Sequence, residues 1–256
     1  MSINKIVLIG AGNMATQLGK ALHQKGKNIL QVLSRTQGSA DLLAGQINST
    51  AIINPNHLIN DADLYILAVP DDEISGIANT INIQDRLIVH TSGSVGMEVL
   101  KNASAHYGVF YPLQTFSKTR DVDFSDIPIC IEASCEENYI SLINLAEGIS
   151  NDVRRINSIK RQTIHLAAVF ASNFTNYMYG LSEEILKNED ISFDIIQPLI
   201  RETTKKIEHK SPKDAQTGPA KRKDLKIIEK HLQLLQGDPD KKAVYDLLSK
   251  LIVESH

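Results

Sequence analysis

The most constraining feature of this chain is a six-residue turn close to its start. Ile6-Val7-Leu8-Ile9 is a short apolar run, and Gly10-Ala11-Gly12-Asn13-Met14-Ala15 follows it directly. Beyond the turn, Met14, Leu18, Ala21 and Leu22 recur at helical spacing, with Gly26 placed to end the helix. A glycine at the first position permits a tight strand-to-helix turn. A glycine at the third lets phosphates approach the backbone, and a small sixth residue lets helix and strand pack closely. The helix N-terminus adds N–H donors and positive potential. Gly10, Gly12, Asn13, Met14 and Ala15 are therefore expected to cradle a dinucleotide pyrophosphate, with a purely structural turn as the alternative.

The residues that follow repeat the strand–helix alternation. Strand candidates are Ile29 to Leu33, Ala51 to Ile53, Leu64 to Val69, Leu87 to Thr91 and Tyr107 to Tyr111. A last pair, Ile127 to Glu132 and Asp152 to Ile156, flanks a helical stretch from Glu137 to Ile149. Runs that are apolar throughout read as parallel strands covered on both faces. Past residue 156 the strand signal stops. Helical patterns run over Lys160 to Leu186, Phe193 to His209 (interrupted by Pro198), Arg222 to Leu235 and Lys241 to Val253. The expected architecture is an α/β domain over 1–156, doubly wound around a mainly parallel sheet, then an all-α domain over 157–256.

Composition removes several classes. Lys plus Arg is 27 against 30 Asp plus Glu, a net charge of -3 that offers nothing to a nucleic acid. Apolar residues at 42% are enough for a folded core, yet no stretch approaches the roughly 18 consecutive apolar residues of a membrane helix. Cys130 and Cys135 are too few for a disulfide framework or a four-ligand zinc site, and the histidines show no metal-ligand spacing. The expectation is a cytoplasmic protein that uses no metal and touches neither membrane nor nucleic acid.

The second strand end chooses the dinucleotide. NAD binders carry an acidic residue about 20 residues past the glycines, to accept from the ribose 2′-hydroxyl. Here the strand ends in Ser34-Arg35-Thr36 with no carboxylate. Arg35 suits a 2′-phosphate held bidentately, with Ser34 and Thr36 adding hydroxyls, so NADP is expected; a solvated loop arginine is the alternative. Ala68, Val69 and Pro70 end the next inner strand with small groups that a nicotinamide ribose can lie against. Asp71 or Asp72 is a candidate N-cap for the helix behind them. Thr91 and Ser92, in His90-Thr91-Ser92-Gly93-Ser94, are candidates to reach nicotinamide or substrate, or to cap a turn.

Together these motifs resemble the NADP oxidoreductases that join a Rossmann domain to an uncharacterised helical C-terminal domain. Tyr111-Pro112-Leu113-Gln114-Thr115-Phe116, His165 to Phe174 and Gln216-Thr217-Gly218-Pro219-Ala220 extend the resemblance over nearly the whole chain. The group is similar in layout to pyrroline-5-carboxylate reductase and to the 6-phosphogluconate and β-hydroxyacid dehydrogenases. The resemblance implies an NADP-type cofactor, a cleft between the domains and a homodimer built through the helical domain; the apolar faces of the last two helices suit such self-association. One departure matters. The Lys-x-x-x-Asn pair of the sugar-acid and hydroxyacid enzymes is missing, because Lys160 is followed four residues on by Ile164 and Asn173 is preceded by Val169.

Candidate chemistry falls on the long helix. His165 and Asn173 lie eight apart, offset by about 80° on an uninterrupted α-helix. His165 suits proton transfer near neutrality, and Asn173 suits orienting a carbonyl. Ser92 joins them as a candidate catalytic group. Gln216, Thr217 and Gly218 precede Lys221, Arg222 and Lys223 and are candidates for a substrate carboxylate or phosphate, while Thr217 or Asp214 is a candidate cap for the next helix. The expected reaction moves a hydride between NADPH and a small polar carbonyl or imine substrate in the interdomain cleft. The rival expectation is an NADP-binding sensor or scaffold without turnover.

Overall fold

The computed structural model describes residues 2–81, 83 and 85–256. Its chain divides into two compact units, Met1–Ser172 and Asn173–His256. The sequence places the change at residue 156, where strands give way to helices. The compact first unit instead keeps the first part of the long helix.

In the first unit the strands are β1 (Lys5–Ile9), β2 (Asn28–Leu33), β3 (Thr50–Ile52), β4 (Leu64–Leu67), β5 (Leu87–His90), β6 (Tyr107–Pro112), β7 (Ile129–Ala133) and β8 (Val153–Arg155). They form one eight-stranded sheet in the order β3-β2-β1-β4-β5-β6-β7-β8. Every pair is parallel except β6 with β7, where Phe110 faces Ile131 in antiparallel register. The helices are α1 (Asn13–Gln24), α2 (Gln37–Gln46), α3 (Asp71–Thr80) and α4 (Glu136–Glu147).

Alternate side chains of each strand point to opposite faces. On one face Ile6, Leu8 and Ile66 pack with Leu18 and Leu22 of α1, Leu43 of α2 and Leu142 of α4. On the other, Val7, Ile9, Tyr65 and Leu67 pack with Ile74 and Ala78 of α3. β4 and β5 are buried along their whole length, as strands covered on both sides must be. Each such leucine or isoleucine contributes about 1.5–3 kcal/mol by leaving water. Strand order reverses at β1, whose neighbours are β2 and β4, and this opens a crevice beyond the carboxyl ends of those three strands.

The long helix starts at Asn157, whose side chain accepts from the Lys160 N–H at 3.0 Å. It runs as α5 (Ser158–Ala168), a π-helical segment (Val169–Phe174) and α6 (Thr175–Lys187). The second unit continues with α7 (Gln197–Lys206), α8 (Pro212–Ala215), α9 (Leu225–Leu234) and α10 (Pro239–Ser255). Pro198 does not interrupt a helix; it sits in the first turn of α7, where its missing N–H costs nothing. α8 lies between the expected helical stretches Phe193 to His209 and Arg222 to Leu235, because Ser211 accepts from the Asp214 N–H and Pro212 opens a turn. No helix among the described residues is long and apolar enough to cross a membrane.

Candidate cofactor and active site

The turn after β1 is fixed by sterics. Gly10 has φ +118°, and a Cβ built on it would lie 2.1 Å from the Ala68 carbonyl oxygen. Its N–H donates to the Leu33 carbonyl at 2.8 Å, while Ala68 N–H donates to Ile9 at 2.8 Å, so the ends of β1, β2 and β4 are tied together there. Gly12 differs: it has an ordinary φ of -79°, and a Cβ on it would meet nothing within 4 Å. What it leaves open is space in front of α1. Ala15 is fully buried against the sheet, Gly12 and Asn13 are exposed, and Met14 is half-buried. No acidic side chain stands in the first turn of α1 to offset the positive end of the helix.

These residues open on a groove of about 570 Å³. Gly10 to Gly12, Ser34 to Thr36 and Ala68 to Pro70 line it, with Glu73 and Lys118. That volume is typical of a small-molecule site. The groove fits a dinucleotide carrying a 2′-phosphate: backbone without side chain at the turn, and an arginine rather than a carboxylate at the end of β2. Arg35 is 78% exposed and ion-paired with Glu73 at 2.5 Å. An exposed pair of this kind is worth about 1 kcal/mol or less, so a phosphate can replace the carboxylate. Glu73 is not singled out by the sequence, where it is one of three acids opening α3. Neither Asp71 nor Asp72 caps α3; Pro70 occupies that position, and Asp71 instead accepts from the Ser94 hydroxyl.

A second cluster gathers at the ends of β5 and β6. His90 is buried, its Nδ1 accepts from the Ser92 N–H at 3.1 Å, and its Nε2 faces the Gly96 carbonyl at 3.4 Å. Burial, and then the nearby Arg161 cation, push it down to about 4, so it is a neutral structural residue. The Ser92 hydroxyl accepts from the Ser94 and Val95 N–H groups at 3.1 and 3.0 Å, which is the turn-capping role. Thr91 is buried, and its N–H donates to Leu67 at 3.1 Å. Neither Thr91 nor Ser92 lines the groove above.

His165 of α5 is half-buried and meets the Tyr111 hydroxyl through Nδ1 at 3.2 Å, with the rings edge-on at 74°. Gly93 makes this approach possible: a Cβ there would lie 2.6 Å from His165 Nδ1 and 2.9 Å from the Tyr111 ring. Burial raises the Tyr111 phenol above its ordinary value, so it stays a neutral hydroxyl at neutral pH, able to accept from or donate to His165 Nδ1 according to the state of the ring. Arg161, one turn before His165, is fully buried. Its Nε donates to the Ser92 carbonyl at 3.1 Å, its Nη2 to Val95 at 2.5 Å, and its Nη1 to Glu132 at 2.6 Å. Glu132 also accepts from the Ser158 N–H and hydroxyl, at 2.9 and 2.7 Å. Arg161 thus bolts the helix under His165 to the loop that carries Ser92 and Gly93. Sequence reading misses Arg161 and Glu132, since an arginine in the first turns of a helix reads as a solvated charge.

Asn173 lies in the π-helical segment and opens the second unit. Each residue of a π turn advances the helix by less than in an α turn, so the 80° offset from His165 expected for an unbroken α-helix does not apply. Such segments gather at functional sites. In the second unit Gln216 donates to the Thr217 carbonyl at 3.0 Å, and Gly218 has φ +104°. The cap of α9 is Asp224, accepting from the Ile227 N–H at 3.3 Å, rather than Thr217 or Asp214. Lys221, Arg222 and Lys223 therefore stand ahead of that helix, not on it.

Residues 2–113 match a Rossmann-like domain, and residues 127–252 match a Domain of unknown function (DUF2520). A search of curated proteins gave no match. Among solved structures, one described as a "putative NADP oxidoreductase" from Bacteroides fragilis is 46% identical, with a TM-score of 0.92 and 98% of each chain covered. A protein from Thermotoga maritima is 26% identical over 98% of this chain and 97% of its own, with a TM-score of 0.73. An imine reductase from Myxococcus stipitatus, solved with NADP+, shares the fold at 14% identity, with a TM-score of 0.67 over 98% of this chain and 93% of its own. This chain belongs to the family, shared with the Bacteroides fragilis protein, in which a Rossmann-like domain is followed by a DUF2520 domain.

Proposed function

We propose that this protein is an NADP(H)-dependent oxidoreductase that moves a hydride between NADPH and a small polar carbonyl or imine compound. The observation that carries the reading is the groove itself, a turn that tolerates no side chain at Gly10 and an arginine at the end of β2. The likeness to the Bacteroides fragilis protein supports it. When bound, the cofactor supplies the hydride. Everything else falls to the chain. Gly10, Gly12, Asn13, Met14 and Ala15 receive the pyrophosphate on backbone amides. Ser34, Arg35 and Thr36 hold the 2′-phosphate, and Ala68, Val69 and Pro70 line the path toward the nicotinamide, with Thr91 backing them through its N–H bond to Leu67.

His165 donates the proton that the substrate oxygen or nitrogen needs, and the Tyr111 hydroxyl orients its ring through Nδ1. Ser92 holds the loop against that ring, its hydroxyl being engaged with backbone amides. Asn173 and the Gln216-Thr217-Gly218 loop are assigned to the substrate, with Lys221 and Arg222 supplying charge for a carboxylate or phosphate. Cys130 and Cys135 are both free thiols, which supports the cytoplasm as the compartment. We further propose a homodimer through the helical region. Leu199, Leu234 and Leu247 are 64, 75 and 59% exposed, more apolar surface than a helical unit leaves in water. Light scattering on the purified protein should give twice the chain mass, and a monomer at micromolar concentration contradicts the assignment.

A second reading, an NADP-binding sensor without turnover, is favoured by the engaged Ser92 hydroxyl and the missing Lys-x-x-x-Asn pair. A panel of carbonyls and cyclic imines, read by NADPH absorbance, separates the two. Consumption that falls in His165→Ala while NADPH affinity holds supports the enzyme. No consumption across the panel, with cofactor bound, supports the sensor.

A further inference from the structure

The connection from β6 to β7 is long for two neighbouring antiparallel strands, running from Leu113 to Pro128. Connections of that length inside a compact domain are usually functional. Around Lys118 this one is fastened at three points. Phe116 and Phe124 stack with centroids 5.6 Å apart, and Phe124 is buried in the core beneath α1. Gln17 of α1, almost fully buried, donates its amide to the carbonyls of Ser117 at 2.6 Å and Arg120 at 3.0 Å. Lys20, one turn further along α1, pairs with Asp121 at 3.0 Å. Between these fastenings stands Lys118, which lines the same groove as Gly10, Ala11 and Gly12. Its ammonium makes no ion pair or hydrogen bond among the described residues.

We propose that Lys118 binds the cofactor's pyrophosphate, and that Gln17 is the positioning residue that holds it over the groove. The proposal rests on the NADP reading above. Its reason is a deficit of charge at the turn. Gly10 to Ala15 contributes neutral side chains only, so the phosphates would otherwise meet amides and a helix end but no full positive charge. Lysine, a compact charge on a flexible stem, is suited to supply one. The pyrophosphate is favoured over the 2′-phosphate by the anchoring. The polar fastenings on either side of Lys118, at Ser117, Arg120 and Asp121, are all to α1, the helix whose N-terminus opens on the turn, whereas Arg35, Ser34 and Thr36 serve the groove's other end.

Calorimetric titration of the full chain with NADP+ and with NAD+ tests this. Lys118→Ala should weaken both by about tenfold and alike, leaving the preference between them unchanged, and Lys118→Arg should restore most of the loss. Arg120→Ala removes a charge from the same loop but outside the groove and should stay within about twofold of wild type. Gln17→Ala should weaken both cofactors, and adding Lys118→Ala to it should cost little more, because the ammonium is already out of place. A loss confined to NADP+ would move Lys118 to the 2′-phosphate and overturn the proposal. So would no loss at all, or an equal loss from Arg120→Ala. A wild-type protein that binds neither dinucleotide overturns the NADP reading along with this one; normal wild-type binding with an unaffected Lys118→Ala overturns this one alone.

Discussion

The phosphate turn and the Tyr111–His165 corner both stand at strand ends of one sheet, yet the fold defines them by different means. The turn is built from consecutive residues and one close approach, Gly10 against Ala68. The corner is assembled from three distant stretches. Tyr111 is 54 residues from His165, and Arg161 reaches Ser92 across 69. What defines the turn is room, and a single Cβ is enough to spoil it. What defines the corner is a buried charge that must be matched on every side. Local chemistry can therefore specify where a cofactor lies while longer-range pairing specifies where a proton donor stands.

Removing the charge should do the most damage. Arg161→Leu leaves the Glu132 carboxylate without its cation and the carbonyls of Ser92 and Val95 without this donor, which should cost about 3–5 kcal/mol in thermal or urea unfolding. Adding Glu132→Leu should recover part of that loss, since the stranded carboxylate goes with it. If Arg161→Leu alone is neutral, the corner is not held by this pair.

A methyl group at the turn comes next and sharpens the contrast. Gly10→Ala forces both a positive φ and an overlap with Ala68, and should cost about 2–3 kcal/mol. Gly12→Ala meets nothing and should leave stability within about 0.5 kcal/mol while still lowering NADP+ affinity. Equal melting temperatures for the two variants would erase the distinction drawn between space for folding and space for a ligand.

Acid should act on the corner and not on the turn. His90 is held neutral down to about pH 4 in the folded chain but takes a proton near the ordinary histidine value of about 6.5 when unfolded. Between those values the unfolded state binds more protons, so this residue's stabilisation is complete above pH 6.5 and is lost as pH falls, by up to about 1.4 kcal/mol per unit. His90→Asn should flatten that part of the stability profile. A wild-type profile with no slope there would show that the ring is reached by water.

The same contrast explains how much could be read without coordinates. The strands of the first unit follow apolar runs, and β1, β5 and β6 lie within one residue of the expected bounds because their buried, apolar stretches end sharply at polar or turn residues. The glycine turn and Arg35 carry their chemistry in adjacent residues. Glu73, Arg161, Glu132 and Gly93 do not, because each matters only through a partner that the chain brings from elsewhere. Caps went astray for a related reason. Several polar residues near α3 and α9 could fill the position, and only the path of the backbone chooses Pro70 and Asp224. The π-helical segment at Val169–Phe174 has no composition that marks it.

The central claim is that the groove holds NADP and that Arg35 chooses it. The most direct measurement is a titration of wild-type protein and Arg35→Ala with NADPH and with NADH, followed by cofactor fluorescence. The account predicts that wild type prefers NADPH and that Arg35→Ala loses about tenfold or more of NADPH affinity with NADH little changed. Equal affinity of wild type for both cofactors, or an unaltered preference in Arg35→Ala, would contradict it.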